Sequence, residues 1–301
     1  MQRPAMEQAG RAVGAQPVRP RSGHWGTMIF IGPFLLYVAV FLLLPTLRLF
    51  SQAFSGDHGL TLQYVEALGQ PQTVKAFINS IVLSAVSAAV GLIVGGLVAY
   101  FLLRPQAPRG LRSLVTSFSA VAANFAGVPL AFAFIATLGS LGMVTLWLKD
   151  LGIDLYGAGF SLYSMSGLIV VYAYFQVPLM IIVIIPAIEG LRREWREASE
   201  SLGAGSWTYW RHVGLPILLP SLLSAYLLLF GNAFSAYATP YALTSGIISL
   251  VPIEISNVLS GNVMLAPQTG AALALGMILV MVGVMLLYVL AARRAGRWSG
   301  K

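Results

Sequence analysis

Long uncharged stretches alternate with short charged ones along the whole chain. No Asp, Glu, Lys, Arg or His occurs from Trp25 to Leu47, Ala76 to Leu103, Ser113 to Leu148, Leu155 to Ile188, Val213 to Ile253 or Ile255 to Ala292. Each stretch holds the roughly 20 apolar residues a helix needs to cross a bilayer core. The pattern predicts spanning helices at 27–50, 77–103, 114–137, 166–188, 217–240 and 270–292. Small residues recur on them as stripes: Gly91, Gly95, Gly96 and Ala99 in the second span, Gly270, Ala274, Gly276 and Gly283 in the sixth. Small residues let helices approach where no hydrophobic force separates protein from lipid, so the expectation is an all-α integral membrane bundle.

Composition agrees. The 301 residues are 57% hydrophobic and 9% charged, against about 25% charged in soluble domains, which excludes a water-soluble fold. Cysteine is absent, so no disulfide framework, thiolate metal site or thiol nucleophile exists. The net charge of +8 would suggest nucleic acid if it formed one patch. It is distributed instead. Fifteen of the 18 Lys and Arg fall in the N-terminal tail (Arg3, Arg11, Arg19, Arg21), at 104–113 (Arg104, Arg109, Arg112), at 189–213 (Arg192, Arg193, Arg196, Arg211) and at the C-terminus (Arg293, Arg294, Arg297, Lys301). The alternate segments carry only Arg48, Lys75 and Lys149, beside Asp57, Glu66, Asp150, Asp154 and Glu254. This asymmetry puts both termini in the cytoplasm. Residues 1–24 read as a disordered basic tail, 25–76 as the first helix and an external loop, 77–292 as the transmembrane core, and 293–301 as a basic cytoplasmic end. The run from Met28 to Leu44 is longer than the 7–15 residues of a signal-peptide core, and reads as a retained span. The external loops, 51–76, 138–165 and 241–269, are too short to house a domain.

Absent groups narrow the function. Ion-coupled transporters place ionisable side chains inside their spans, and this chain has none at mid-membrane depth. An intramembrane hydrolase needs a base near its nucleophile, but His24, His58 and His212 all lie in tail or loops. No G-x-x-x-x-G-K-[ST] phosphate loop occurs, so energy for pumping would come from a partner. Neutral polar residues remain: Asn79, Asn124, Gln176, Asn232, Ser235, Tyr237 and Thr239. They read either as inter-helix hydrogen-bond groups or, for Asn124, Gln176, Asn232, Ser235 and Tyr237, as the lining of a translocation path. Pro45, Pro129, Pro178, Pro186, Pro216, Pro220 and Pro240 kink helices, in service of packing or of a gate.

Charge concentrates at 189–213. There Leu191, Trp195, Ala198 and Leu202 form one apolar stripe of a helix predicted over 189–202, with i,i+4 pairs Glu189–Arg193, Arg193–Glu197 and Arg196–Glu200 on its other faces. Gly203 and Gly205 end it. Trp207, Tyr209 and Trp210 follow at headgroup depth, then Pro216 at the next helix start. This segment reads as a solvated or lipid-lying loop, or as a docking knob for a partner's groove.

Glu197-Ala198-Ser199, Gly203, and Val213-Gly214-Leu215-Pro216 resemble the EAA loop of ABC-importer permeases. That pattern runs E-A-A, three residues, G, nine residues, I-x-L-P. The spacing matches throughout, with Ser199 for the second alanine and Val213 for isoleucine. Asn124-Phe-Ala-Gly-Val-Pro-Leu-Ala also looks like permeases of the spermidine/putrescine, iron, thiamine and sulfate group. The resemblance implies a six-helix type I importer permease in the bacterial inner membrane, itself no enzyme. It implies two ATPase subunits that bind ATP and Mg, a second permease (sibling or identical), and an external solute-binding protein. Glu197, Ala198, Ser199 and Gly203, with the stripe of Leu191, Trp195 and Leu202, would meet the ATPase, and Leu215-Pro216 would join the loop to the fifth span. No cofactor in this chain and no nucleic acid are expected. The five acids and three bases of the external loops lean toward a cationic solute such as a polyamine, with iron, thiamine or another small ion also in view. A partner-independent six-helix channel is the other reading: it has no need of the EAA spacing.

Overall fold

The computed structural model describes residues 24–56, 59–104, 106–260 and 267–296. The expected basic tail, except for His24, and Arg297 and Lys301 of the C-terminal cluster lie outside them. Among the described residues every regular element is helical apart from a ribbon of two short strands, β1 (Ser55–Gly56) antiparallel to β2 (Gly59–Leu60).

The chain divides into two compact units, Met1–Arg48 and Leu49–Lys301. The first carries α1 (His24–Val38), a π turn at Ala39–Leu43, and the start of α2 (Leu44–Ala53). Its helix is apolar on all sides, as a lipid-crossing helix is. The second unit continues with α3 (Gln63–Glu66), α4 (Pro71–Leu102), α5 (Arg109–Ala122), α6 (Val128–Leu138), α7 (Met143–Asp150), α8 (Met165–Glu189), α9 (Arg193–Ser201), α10 (Ser206–Tyr209), α11 (Leu215–Phe234), α12 (Ala238–Thr244), α13 (Val251–Ser260) and α14 (Pro267–Gly296).

Helix α8 is the hub of the second unit. It starts where the Ser164 hydroxyl caps it by accepting from the Gly167 N–H. It buries Leu168, Val171, Tyr172, Phe175, Met180 and Ile184 against its neighbours. Its packing on α4 is possible because α4 offers no side chains at the crossing. A Cβ at Gly91 would sit 2.9 Å from the Gln176 Cβ, and one at Gly95 2.7 Å from the Val177 carbonyl oxygen. The small-residue stripe of the second span therefore serves as the sequence suggested. In the sixth span the close approach is at Gly276, where a Cβ would lie 2.6 Å from the Phe77 ring. Gly283 has nothing within 4 Å.

Six helical runs are long and apolar enough to cross a membrane: Ile31–Ala53, Pro71–Leu102, Val128–Asp150, Met165–Glu189, Ser206–Phe234 and Gln268–Leu290. Five match the expected spans. The third is displaced from the expected 114–137, because the chain breaks between α5 and α6 and the apolar run resumes only at Val128. The expected fifth span also stops short of 240. Helix α11 ends at Phe234, and α12 begins only at Ala238.

Candidate functional site

Two places bring the singled-out residues together: the loop between α8 and α11, and the pair of helix breaks at 123–127 and 235–237.

The loop is in two pieces rather than the single helix expected over 189–202. Helix α8 runs to Glu189, Gly190 and Leu191 turn the chain, and α9 starts only at Arg193. Leu191 thus precedes the helix and leaves its stripe. Glu189 belongs to α8, so it pairs with Arg112 of α5 and not with Arg193. The other two expected pairs form, Arg193–Glu197 and Arg196–Glu200, each at 2.9 Å. The hydrogen bond that Arg196 donates to the Glu200 carboxylate holds its guanidinium above its ordinary range.

Helix α9 ends as the glycines predicted. Gly203 takes φ of 76°, its N–H donates to the Glu200 carbonyl at 3.0 Å, and the Ala204 N–H donates to the Ser199 carbonyl at 3.1 Å. That pair of bonds is a Schellman cap, and it wants glycine for its left-handed φ. No atom lies within 4 Å of a Cβ built on Gly203. The outer face of this turn is therefore bare. No residue of α9 is buried, Leu202 is 88% exposed and Trp207 76%. Large apolar side chains held out on a rigid cap are the mark of a surface that meets another molecule.

The loop's other face is fixed to the bundle. Tyr209 is buried, and Trp210 packs edge-on against Tyr100 of α4, ring centroids 5.1 Å apart. The Tyr100 hydroxyl accepts from Arg104 at 3.2 Å, and the Arg104 guanidinium lies over the Tyr100 and Phe101 rings. A π turn at Trp210–Gly214 then leads straight into α11, with Leu215 and Pro216 in its first turn. Beneath the loop lies an open cavity of about 610 Å³, lined by Leu97, Tyr100, Ile184, Ile188, Trp207 and Trp210 among others. Arg112–Glu189 and Tyr100–Trp210 bring the basic segments 104–113 and 189–213 to one end of the unit. Sequence reasoning missed both links, since neither is local, and for Glu189 the nearby Arg193 offered a false partner.

At the first break, α5 ends at Ala122 and Gly127 takes φ 81°, ψ −151°, before Pro129 restarts α6. At the second, Ser235 to Tyr237 separate α11 from α12. The two meet. The Gly127 N–H donates to the Thr239 hydroxyl at 2.8 Å, and Thr239 is 3% exposed. Tyr237 stacks on Tyr241, and its hydroxyl accepts from Ser256 of α13 at 2.9 Å. Asn124, Asn232 and Ser235 are exposed beside the breaks. The Asn124 amide donates to the Ala120 carbonyl at 2.9 Å, and Ser235 to the Asn232 carbonyl at 3.3 Å. Gln176 lies elsewhere. It is fully buried, and its Nε2 donates to the Leu229 carbonyl at 2.9 Å, tying α8 to α11.

The family described as binding-protein-dependent transport system inner membrane component matches residues 93–297. The sulfate transport system permease protein CysT of Escherichia coli (strain K12) is 28% identical over 228 residues, 75% of this chain and 76% of that protein. The molybdenum transport system permease protein ModB of Mycobacterium tuberculosis (strain ATCC 25618 / H37Rv) is 25% identical over 228 residues, 74% of this chain and 80% of that one. Among solved structures, a bacterial ABC transporter involved in the import of the acidic polysaccharide alginate superposes with a TM-score of 0.70 at 18% identity, covering 90% of this chain and 96% of that one. The MetNI methionine ABC transporter superposes with a TM-score of 0.54 at 14% identity, covering 74% and 95%.

Proposed function

The chain belongs to the family of binding-protein-dependent transport inner membrane components, and from that premise we propose how its exposed loop serves transport. It is a permease subunit of an ABC importer, a multi-pass inner-membrane protein that works with an ATPase and a binding protein and is not itself an enzyme. The partner-independent channel gives way to this.

The loop from Arg193 to Pro216 is the coupling element. The observation that carries this is the bare Schellman turn: α9 buries nothing, while Leu202 stands out beside a backbone locked at Gly203. Trp195, Ala198 and Leu202 enter a groove of the ATPase, with Glu197, Ser199 and Gly203 fixing the register. A short, capped helix braced on α4 through Trp210 passes on a rigid-body displacement without absorbing it. Two ATPases, each binding ATP and Mg, a second permease and an external binding protein complete the complex, with both termini of this chain cytoplasmic. The exposed polar groups at the two breaks, Asn124, Asn232 and Ser235, border the path. Relatives named for sulfate and molybdenum transport support a small oxyanion as substrate, in place of the polyamine favoured by loop charge.

Mild-detergent purification of the tagged chain from its own membranes tests the assembly. An ATPase and a second permease should come with it in stoichiometric yield, and the reconstituted complex should take up labelled sulfate or molybdate but not spermidine. A chain that emerges alone under several detergents would overturn the coupling assignment, and spermidine uptake would overturn the substrate class.

A further inference from the structure

The two helix breaks are joined through one side chain. Breaking a helix within hydrocarbon strands backbone groups that must find partners inside the protein. Gly127, at the N-terminal end of α6, has no helical carbonyl for its N–H. Thr239 supplies the acceptor at 2.8 Å, and its own O–H faces the Gly127 carbonyl at 3.4 Å. Thr239 is the second residue of α12 and has no carbonyl of its own helix four residues back; its hydroxyl reaches a partner 112 residues away in sequence. The contact is also close in the backbone sense. Gly127 sits at φ 81°, and a Cβ built there would lie 3.8 Å from the Ala238 Cβ. Two residues earlier in the chain, the Tyr237 hydroxyl accepts from Ser256, so the start of α12 is tied separately to the start of α6 and to α13.

We infer that Thr239 is a positioning residue of the translocation path: its buried hydroxyl fastens the break between α5 and α6 to the break between α11 and α12, so that the two move as one body. Asn124 lies three residues before Gly127 and Ser235 four before Thr239, so the clip holds the spacing of the open polar groups on both sides. This rests on the reading that those groups border the path. It goes beyond that reading in placing the opening motion elsewhere than between these two segments.

The chain has no native cysteine, which makes a direct test available. The 3.8 Å between the Cβ positions equals the usual separation across a disulfide, about 3.8 Å. Gly127→Cys with Ala238→Cys carries a left-handed penalty of about 1–2 kcal/mol at residue 127; in the reconstituted complex with its ATPase and binding protein the reduced variant should still import measurably, and the oxidised variant should import at the same rate. A block that reductant relieves would show that the segments part during the cycle, and would overturn the inference. Independently, Thr239→Val keeps the shape and removes the hydroxyl. It should lower solute imported per ATP hydrolysed about tenfold, the effect of roughly 1.4 kcal/mol, while hydrolysis continues, and Thr239→Ser should restore the ratio. Equal ratios in wild type and Thr239→Val, or equal loss in the Val and Ser variants, would overturn the role of the hydroxyl. If Thr239→Val does not accumulate, the cross-link arm decides alone. A wild-type complex that neither binds an ATPase nor imports would count against the transport reading instead.

Discussion

Gly95 and Gly203 are the same residue for opposite reasons. At Gly95 the backbone is ordinary helix and the space is gone: a Cβ would strike the Val177 carbonyl and Met180 of α8. At Gly203 the space is open and the backbone is unusual, at φ 76° with nothing within 4 Å. One glycine belongs to a packed interior that excludes lipid, the other to a turn whose outer face is left for a partner. The interior is specified by volume and the loop by backbone angle. They should therefore fail under different substitutions.

The largest effect is expected at the interior. Gly95→Leu forces α4 off α8 and should cost about 3 kcal/mol or more, seen as loss of monodisperse protein in detergent. A well-behaved, thermally unchanged variant would refute the claimed contact. At the turn, Gly203→Val meets the left-handed penalty of about 1–2 kcal/mol, and should cut import while the protein still inserts. Gly203→Asn separates conformation from contact, because asparagine tolerates positive φ. Import retained with Asn but lost with Val would assign the glycine to backbone angle, and loss with both would assign it to direct contact with the ATPase. The smallest effect belongs to the charges on α9. Arg196→Gln breaks the pair with Glu200, whose side chains are about half exposed, and should change stability by only about 0.5 kcal/mol or less. A melting shift clearly beyond that would mean the pair is buried in the assembly.

The same contrast explains what could be seen in the sequence. Charge-free stretches found five of the six runs because lipid demands length and apolarity, which are local properties. The Gly203 cap was legible because αL turns demand glycine. The breaks at 123–127 and 235–237 were hidden, since their residues are nearly as apolar as the helices around them and averaging smooths them over. Asn124, Gly127 and Pro129 together were a restart signal, but Pro129 read as a kink. Which of the polar residues point outward was not legible at all. Tyr237 and Thr239 differ from Asn232 and Ser235 only through partners, Ser256 and Gly127, that lie far away in the chain. Glu189 was misassigned for the same reason: its i,i+4 neighbour was visible and Arg112 was not.

The Arg112–Glu189 pair turns a stretch of chain into a hoop. Its two ends lie 77 residues apart in sequence, one in α5 and the other at the last residue of α8, with α6, α7 and the turn before α8 as the far arc. While the chain is being made, the arginine emerges first and must wait in water or among headgroups until the fourth span is complete. The hoop can close only when the third and fourth spans are through the bilayer in the right register. A shift of α8 by one residue along its axis moves Glu189 by about 1.5 Å and swings it about 100° around the helix, which takes the carboxylate out of reach. The pair thus acts as a clasp that fastens only on a correctly threaded hairpin.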